Sequence, residues 1–257
     1  MFVKIYLAIV TKTCYNYLRN LERYLFSIKD YFSSPAIPLR RANTTITPAE
    51  ELKYNSFGYR THEFNTVADK HIVVSGCSHT EGVGLHLEQT WAKQLEKELN
   101  TQIMNIGVGG SNTDFVSQNL TLWLDHYKPL AVIAQWPNLY RATHWKDSEA
   151  SFVNNNCTDD LFKQKILQGD EHFLLTFVKN VVYLESLCKQ KTIPVLHLYL
   201  DQPGLEQPLL EQVGINMHYD YKIPGETWHF DSGALDNQHH SEWCHTQWVK
   251  RIRGLLW

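Results

Sequence analysis

The chain has 257 residues, of which 43% are hydrophobic and 20% are charged, and its formal net charge is −3. A chain of this length buries a substantial core as one α/β domain and leaves room for a small appendage. Because the charges nearly balance, no strong electrostatic field favours nucleic acid or an anionic membrane, and we expect neither as a partner.

Residues 1–38 are predicted to form an N-terminal helical appendage and a linker. Apolar side chains recur there at helical spacing, and Pro35 and Pro38 end any helix. The spaced side chains are Tyr15, Leu18, Leu21, Tyr24, Leu25 and Ile28. Two interpretations stay open: a helix packed on the domain, or, because the segment is locally basic, a helix that binds a partner or a membrane surface.

The apolar run at residues 5–10 is too short to span a bilayer, and no small-residue cleavage site follows it. We therefore expect neither a signal peptide nor an integral membrane segment. The cysteines are scattered and form no Cys-x-x-Cys pair, which indicates reduced thiols and a cytoplasmic location. They are Cys14, Cys77, Cys157, Cys188 and Cys244.

From about residue 70, apolar runs alternate with amphipathic segments. Strands are predicted at residues 71–75, 102–106, 130–136 and 194–200, and helices at residues 87–99, 113–126 and 171–190. The strand runs are continuously apolar, as in strands buried on both faces of a parallel sheet. The pattern predicts a doubly wound α/β domain over residues 39–257. Residues 140–170 and 201–235 are less regular, and we expect such insertions at the ligand-binding edge of the sheet.

Ser78 lies in the motif Gly76-Cys77-Ser78-His79-Thr80-Glu81-Gly82, directly after the first predicted strand. A serine at the exit of a buried strand is presented on a loop, and a following helix directs its amides at developing negative charge. By itself, a serine after a glycine at a strand end is also a common turn residue. Thr80 occupies the last position of a Gly-x-Ser-x-Gly elbow, which argues against the α/β-hydrolase fold.

Donors for an oxyanion are predicted after the second and third strands. Gly110 ends the run Asn105-Ile106-Gly107-Val108-Gly109-Gly110, and a glycine amide can approach an oxyanion closely because it carries no side chain. The run contains neither Gly-x-Gly-x-x-Gly nor a Lys-Ser/Thr pair, so we do not expect nucleotide binding. Asn138 can add a side-chain amide, although Pro-Asn is also an ordinary turn sequence.

Asp236 and His239 form an Asp-x-x-His pair just before a C-terminal segment of helical character. His239 is the candidate general base, and Asp236 would orient its imidazole and support it electrostatically. His240 and His245 compete for the same role.

A metal centre is the alternative use of these histidines. Adjacent histidines rarely both bind a metal, and the spacing is that of no compact zinc motif, so we expect neither a metal nor another cofactor. The candidate ligands would be His239, His240, Cys244 and His245, with Cys77 and His79.

With these motifs, the chain from residue 55 onward resembles the GDSL-type (SGNH) hydrolase superfamily. Gly76-Cys77-Ser78 resembles the Gly-Asp-Ser block, Asp236-Asn237-Gln238-His239 matches the Asp-x-x-His block, and residues 55–60 resemble the Asn-x-x-Gly-aromatic-Arg segment of many members. The resemblance implies a flavodoxin-like three-layer α/β/α sandwich with a central parallel sheet. It also implies a triad of Ser78, His239 and Asp236, and an oxyanion hole built from Ser78, Gly110 and Asn138.

The chain departs from the family pattern at several positions. Cys77 replaces the Asp beside the nucleophile, and Trp136 and Leu139 replace two residues of the Gly-x-Asn-Asp block. His240 stands where many members carry Pro. None of these changes removes a reacting group, but they alter the residues that hold the oxyanion loop.

The function predicted from the sequence is a serine esterase that hydrolyses a small-molecule or carbohydrate acyl ester. Trp136, Tyr140 and Trp145 suggest a surface for an O-acylated carbohydrate, with core or lid aromatics as the competing interpretation. Three alternatives stay open: an O-acyltransferase with the same residues, a non-catalytic glycan-binding relative with a relict pocket, and the metal-dependent enzyme. The sequence predicts no oligomeric state.

Overall fold

The computed structural model describes residues 54–139, 141–146, 149–153, 160–199, 204, 206–219, 234–235 and 239–256. The predicted appendage and linker, residues 1–38, lie outside these ranges, so their separation from the domain at 39–257 stays a prediction. Asp236 and Tyr140 also lie outside the described residues. Within the described ranges, no helix is long and apolar enough to cross a bilayer.

The described ranges contain seven strands and six α-helices. The strands are β1 (His71–Ser75), β2 (Gln102–Asn105), β3 (Ala131–Trp136), β4 (Ala142–Lys146), β5 (Glu149–Val153), β6 (Val195–Tyr199) and β7 (Met217–Tyr219). The helices are α1 (Ser78–Glu81), α2 (Trp91–Leu99), α3 (Thr113–His126), α4 (Asp160–Lys191), α5 (Glu206–Gln212) and α6 (Glu242–Leu256). Strands β4 and β5 form a separate antiparallel hairpin.

The central sheet has the strand order β2-β1-β3-β6-β7, and all its neighbouring strands are parallel. Numbered within the sheet alone, the order is 2-1-3-4-5, which is the flavodoxin-like doubly wound order. The chain leaves β1 in one direction to reach β2 and returns to the other side of β1 with β3. The carboxyl ends of β1, β2 and β3 therefore meet where the strand order reverses, the usual ligand-binding position in such sheets.

Both faces of the sheet are buried, because alternate residues of each strand point to opposite helical layers. Val73 and Val132 belong to the core beneath α3 and α4. Ile72 and Ile133 belong to the core beneath α2 and α6. The doubly wound α/β domain predicted from the strand runs is therefore confirmed, as is the three-layer α/β/α sandwich implied by the family resemblance.

The predicted elements differ from the observed ones mainly in the insertions. Helix α4 begins at Asp160, ahead of the predicted start at residue 171, and runs through Gly169, because one glycine costs a helix only about 1 kcal/mol relative to alanine. The irregular stretch at residues 140–170 contains the β4–β5 hairpin, and the stretch at 201–235 contains α5 and β7. Residues 87–89 form a 3₁₀ turn that precedes α2.

Two leucines of α4 provide a matched test of this packing. Leu184 is fully buried, whereas Leu175 is 56% exposed. We expect Leu184→Ala to lower the free energy of unfolding by about 3 kcal/mol, because it removes buried methyl groups and leaves a cavity. Leu175→Ala should stay within about 0.5 kcal/mol of the parent. Urea unfolding of both variants measures the difference, and equal losses would contradict the described orientation of α4.

Candidate active site

Ser78 lies at the exit of β1, where its motif predicts it. It is the first residue of the single-turn helix α1 and is 9% exposed. The carbonyl of Cys77 accepts the amide N–H groups of Thr80 (3.0 Å) and Glu81 (2.9 Å), and this begins the helix. As the first residue of a helix, Ser78 has an amide with no acceptor inside that helix.

Helix α1 is fixed by side chains of the strands on either side of β1. The Asn105 side-chain amide, at the end of β2, donates to the Thr80 carbonyl at 2.7 Å. The Thr80 hydroxyl donates to the side-chain carbonyl of Gln135 in β3 at 2.5 Å. Position 76 has no space for a side chain, since a Cβ there would lie 2.0 Å from the Thr80 hydroxyl and 2.8 Å from the backbone carbonyl of Gln135. These contacts therefore hold the turn at residues 76–82, which carries Ser78 and is called the nucleophile turn below, in a fixed position on the sheet.

The glycine loop after β2 is tied to the nucleophile turn through one carbonyl group. The Gly76 carbonyl accepts the amide N–H of Val108 and the hydroxyl of Ser111, each at 3.0 Å. Asn112 then caps α3, because its side chain accepts the Phe115 amide at 3.0 Å. The short Gly109–Gly110 segment is thus held at both ends.

Glu81 holds the middle of this loop. Its carboxylate accepts the Gly109 amide at 2.5 Å and the Tyr54 hydroxyl at 2.8 Å. A Cβ on Gly109 would lie 3.7 Å from the Cβ of Ser78, so the loop passes directly beside the candidate nucleophile. Gly110 has a φ of +78° and would meet nothing within 4 Å if it carried a Cβ. The Gly109 amide is therefore committed to Glu81, and Gly110 stays the predicted oxyanion donor.

Asn138 follows β3 between two apolar anchors. Trp136 is fully buried, and its indole N–H donates to Nδ1 of His197 at 3.0 Å. Leu139 packs against the same core, while Asn138 is partly exposed at the strand exit. The hypothesis that Trp136 lines a carbohydrate surface is wrong, because its strand position points the ring into the core.

Arg141 connects the two loops that carry the predicted side-chain and glycine donors. Its amide N–H donates to the Asn138 carbonyl at 3.3 Å. Its guanidinium donates to the Ser111 carbonyl at 3.2 Å. Because Ser111 directly follows Gly110, these bonds hold the loops after β2 and β3 together.

His239 lies in a segment that is attached to the loop after α1. The Leu235 amide donates to the Gly84 carbonyl at 2.9 Å, and the Ala234 amide donates to the His239 carbonyl at 3.4 Å. The His239 ring centroid is 5.2 Å from that of His79, the residue after Ser78. The structure thus brings His239 to the nucleophile turn, whereas the position of Asp236 lies outside the described residues.

The two competing histidines have structural contacts. The His240 ring is 4.5 Å from His79 and 5.2 Å from the core residue Trp248, measured between ring centroids. His245 is buried in α6, and its Nδ1 accepts the amide N–H of Trp91, the first residue of α2. His240 therefore packs against the core, and His245 satisfies an amide that has no acceptor within its own helix.

His79 lies at the centre of this histidine cluster. Burial is the main reason why the pKa of His79 lies well below its ordinary value, and His240, His239, His245 and Arg141 lower it further. The His79 ring is therefore neutral at neutral pH. Within the part of the chain that the structure describes, no three His, Cys, Asp or Glu side chains are placed to hold a metal ion.

The segment that resembles Asn-x-x-Gly-aromatic-Arg fixes the loop after α1. Arg60 is 1% exposed and donates to the carbonyls of Gly82 and Leu85. Burial lowers the pKa of Arg60, while Tyr54 and Glu81 act in the opposite direction. Arg60 thus brings a buried positive charge close to Glu81 and stabilises the C-terminal end of the nucleophile turn.

A separate cavity of about 210 Å³ lies between this segment and α2. Tyr54, Arg60, Lys93 and Glu96 are among its lining residues. The described residues that line it include none of the predicted catalytic or oxyanion residues. The cavity therefore lies apart from the candidate active site at the carboxyl edge of the sheet.

The sequence did not indicate the groups that hold the site together. Glu81 lies inside the nucleophile motif, and the presence of a carboxylate in a strand-to-helix turn was the one sequence feature that could have indicated its role. Its acceptor role for Gly109 depends on a contact across 28 residues. The Arg141 contact with Ser111 spans 30 residues and has no local motif at all.

No family model and no curated protein matches the chain. Solved structures do match. One is a lipolytic protein of the G-D-S-L family from Desulfitobacterium hafniense, with 14% identity, coverage of 71% of this chain and 97% of that chain, and a TM-score of 0.47.

Two further solved structures are described as esterases. The psychrotrophic esterase EstA from Pseudoalteromonas sp. has 14% identity, 74% and 99% coverage of the two chains, and a TM-score of 0.46. An acetyl xylan esterase from Butyrivibrio proteoclasticus has 12% identity, 74% and 65% coverage, and a TM-score of 0.43. At such identities, the roles of individual residues rest on the contacts of this chain.

His245 should make the protein sensitive to acid. Burial, followed by His240, Arg60 and His239, lowers the pKa of His245 to about 3. Below the ordinary histidine pKa of about 6.5, the unfolded chain binds a proton that the folded chain excludes, so stability falls as the pH falls towards 3.

We expect His245→Asn to weaken this acid sensitivity. The Asn side-chain oxygen can still accept the Trp91 amide, but the side chain does not titrate. Between pH 7 and pH 5, the parent should lose about 2 kcal/mol more free energy of unfolding than the variant. Urea unfolding at both values of pH measures the difference, and parallel losses would show that His245 titrates normally in the folded state.

Proposed function

We propose that the protein is a divergent SGNH-type serine esterase that hydrolyses acyl esters. The observation that carries the proposal is the convergence of four segments at one sheet edge. They are the Ser78 turn after β1, the Gly109–Gly110 loop after β2, the Asn138 loop after β3, and the His239 segment attached to Gly84. Nucleophile, backbone donors and base are the components of acyl transfer.

In the proposed reaction, the Ser78 hydroxyl attacks the ester carbonyl carbon while His239 accepts its proton. The tetrahedral intermediate collapses, and His239 returns the proton to the leaving alcohol. Water then repeats the sequence on the acyl-enzyme, which releases the acid and restores Ser78. Asp236 would hold the His239 imidazole in the tautomer that this requires. No cofactor takes part in these steps.

The oxyanion would be stabilised by the Ser78 and Gly110 amides and by the Asn138 side chain. The contacts of the first two support these roles: Ser78 begins a helix, and the neighbouring Gly109 amide is already occupied by Glu81. Trp136 and Leu139, which depart from the family pattern, anchor the Asn138 loop in the core. Removing one such donor typically lowers turnover by about 10²–10³.

His239 is preferred as the base because it is the histidine of the Asp-x-x-His motif, and the contacts of its two competitors are structural. His240 packs between His79 and Trp248, and His245 accepts the Trp91 amide.

The buried position of Trp136 removes one of the aromatic residues that supported a carbohydrate ester as the substrate. An O-acyltransferase would use the same residues and differs only in the second acceptor, while a relict glycan-binding pocket would need no reactive Ser78.

A fluorophosphonate probe tests the nucleophile and the base together. We expect the parent to be labelled once, as read by intact mass. Ser78→Ala should abolish labelling, and His239→Ala should slow it by about 10² or more, because proton transfer to the base is lost. His240→Phe, which keeps a ring against His79 and Trp248, should be labelled at nearly the parent rate.

The possible failures are distinct. A folded parent that does not react would favour the relict-pocket alternative. Slow labelling of His240→Phe together with normal labelling of His239→Ala would move the base to His240. Labelling that persists in Ser78→Ala would remove Ser78 as the nucleophile.

Glu81 should act as a positioning residue for the oxyanion loop. Glu81→Ala leaves the Gly109 amide without its acceptor, and we expect kcat on 4-nitrophenyl acetate to fall by about 10–100-fold with little change in KM, since a loop displaced by 1 Å can cost about 10². Glu81→Gln keeps an oxygen for Gly109 and an amide group that Tyr54 can accept, and should retain most activity.

Tyr54→Phe, which removes the second bond to the carboxylate, is the milder control. If Glu81→Gln is as impaired as Glu81→Ala, then the charge near Arg60 matters more than the contact with Gly109. Thermal unfolding of each variant separates loss of activity from loss of the folded state.

A further inference from the structure

The side chain of Arg141 has more hydrogen-bond donors than its described contacts with the two loops require. It is partly exposed in the loop between β3 and β4, directly before β4, and its guanidinium donates to the Ser111 carbonyl at 3.2 Å. Ser111 follows Gly110 and also donates through its hydroxyl to the Gly76 carbonyl, two residues before Ser78. The guanidinium is therefore attached to the loop that would carry the oxyanion donor.

Among the residues that the structure describes, the guanidinium has donors that no protein group uses. Arginine has five N–H donors in a planar fork, and the described contacts of this side chain use one nitrogen, Nη1, towards Ser111. No described carboxylate forms an ion pair with it. Glu81, the carboxylate that holds the glycine loop, is bonded to Gly109 and Tyr54.

The charge of Arg141 reaches the nucleophile turn. Besides burial and the neighbouring histidines, Arg141 is one of the groups that lower the pKa of His79, the residue after Ser78. An arginine fork beside a partly desolvated site, with donors that no described group uses, is suited to a carboxylate or a phosphate, which it can bind through two parallel hydrogen bonds.

We propose that Arg141 is a specificity-determining residue that binds an anionic group, a carboxylate or a phosphate, carried by the ester substrate. The inference rests on the proposed function, because it assumes that the ester binds between Ser78, Gly110 and Asn138. It narrows the substrate class from acyl esters in general to esters with a negative charge near the scissile bond. The competing explanation is that Arg141 serves only to join the loops after β2 and β3.

Binding measured in the Ser78→Ala background tests the inference without requiring turnover. Two matched pairs of probes place the charge on either side of the ester: 4-acetoxybenzoate with its methyl ester, and mono(4-nitrophenyl) succinate with its methyl ester. We expect the anionic member of at least one pair to bind roughly tenfold more tightly, a difference of about 1.4 kcal/mol. The pair that shows the preference identifies the alcohol or the acyl part as the charged one.

The same ratio of dissociation constants is then measured after Arg141→Gln and Arg141→Lys. Arg141→Gln should bring the ratio close to one, whereas Arg141→Lys should keep part of it, because lysine keeps the charge without the planar fork. Added salt should reduce the parent ratio. A structural role alone would change the anionic and neutral constants by the same factor.

The inference is overturned if neither pair shows an anion preference, including the case in which no probe binds, or if the preference survives Arg141→Gln. Failure of the proposed function would give a different experimental result. In that case the parent neither hydrolyses the four probes nor reacts with a fluorophosphonate, whatever the binding ratios are.

Discussion

The candidate active site depends on the attachment of helix α1 to two strands. Asn105 and Gln135 reach the backbone and the hydroxyl of Thr80 from opposite sides of β1, and all three are buried. Leaving one of these buried groups unsatisfied would cost about 1–3 kcal/mol, so the turn has little freedom to move. Gly76 makes this attachment possible, because any side chain there would displace Thr80. Ser78 inherits its position from these contacts.

The departures from the family pattern follow a common physical theme. Cys77, Trp136 and Leu139 stand where the related motifs carry other residues, and each is buried or packed against the core. Cys77 and Leu139 stand where the related motifs carry Asp, so apolar packing replaces a polar side chain at these two positions. Glu81 and Arg141 add polar contacts to backbone groups of the glycine loop, beside those that the Gly76 carbonyl makes.

The sequence was sufficient to predict the layers, since continuously apolar strands need cover on both faces, and α3 has the predicted bounds of Thr113–His126. It was insufficient for β7, whose three residues are too short to show a pattern. Motif order was enough to nominate Ser78, Gly110, Asn138 and His239. The direction of the Trp136 side chain depends on its place in the alternation along β3. The capping role of His245 depends on Trp91, 154 residues away, and no local sequence pattern contains this contact.

The position of α6 in the chain has a consequence for biosynthesis. Trp248, Val249 and Ile252 of this helix cover one face of the sheet, and His239 comes immediately before it. A ribosome makes Ser78 long before it makes either. Helix α2 covers part of that apolar face earlier, but the part beneath α6 stays uncovered until α6 emerges, and such a surface is of the kind that chaperones protect. The same delay keeps the Ser78 turn apart from His239, so a half-made chain cannot possess a reactive nucleophile of the proposed kind.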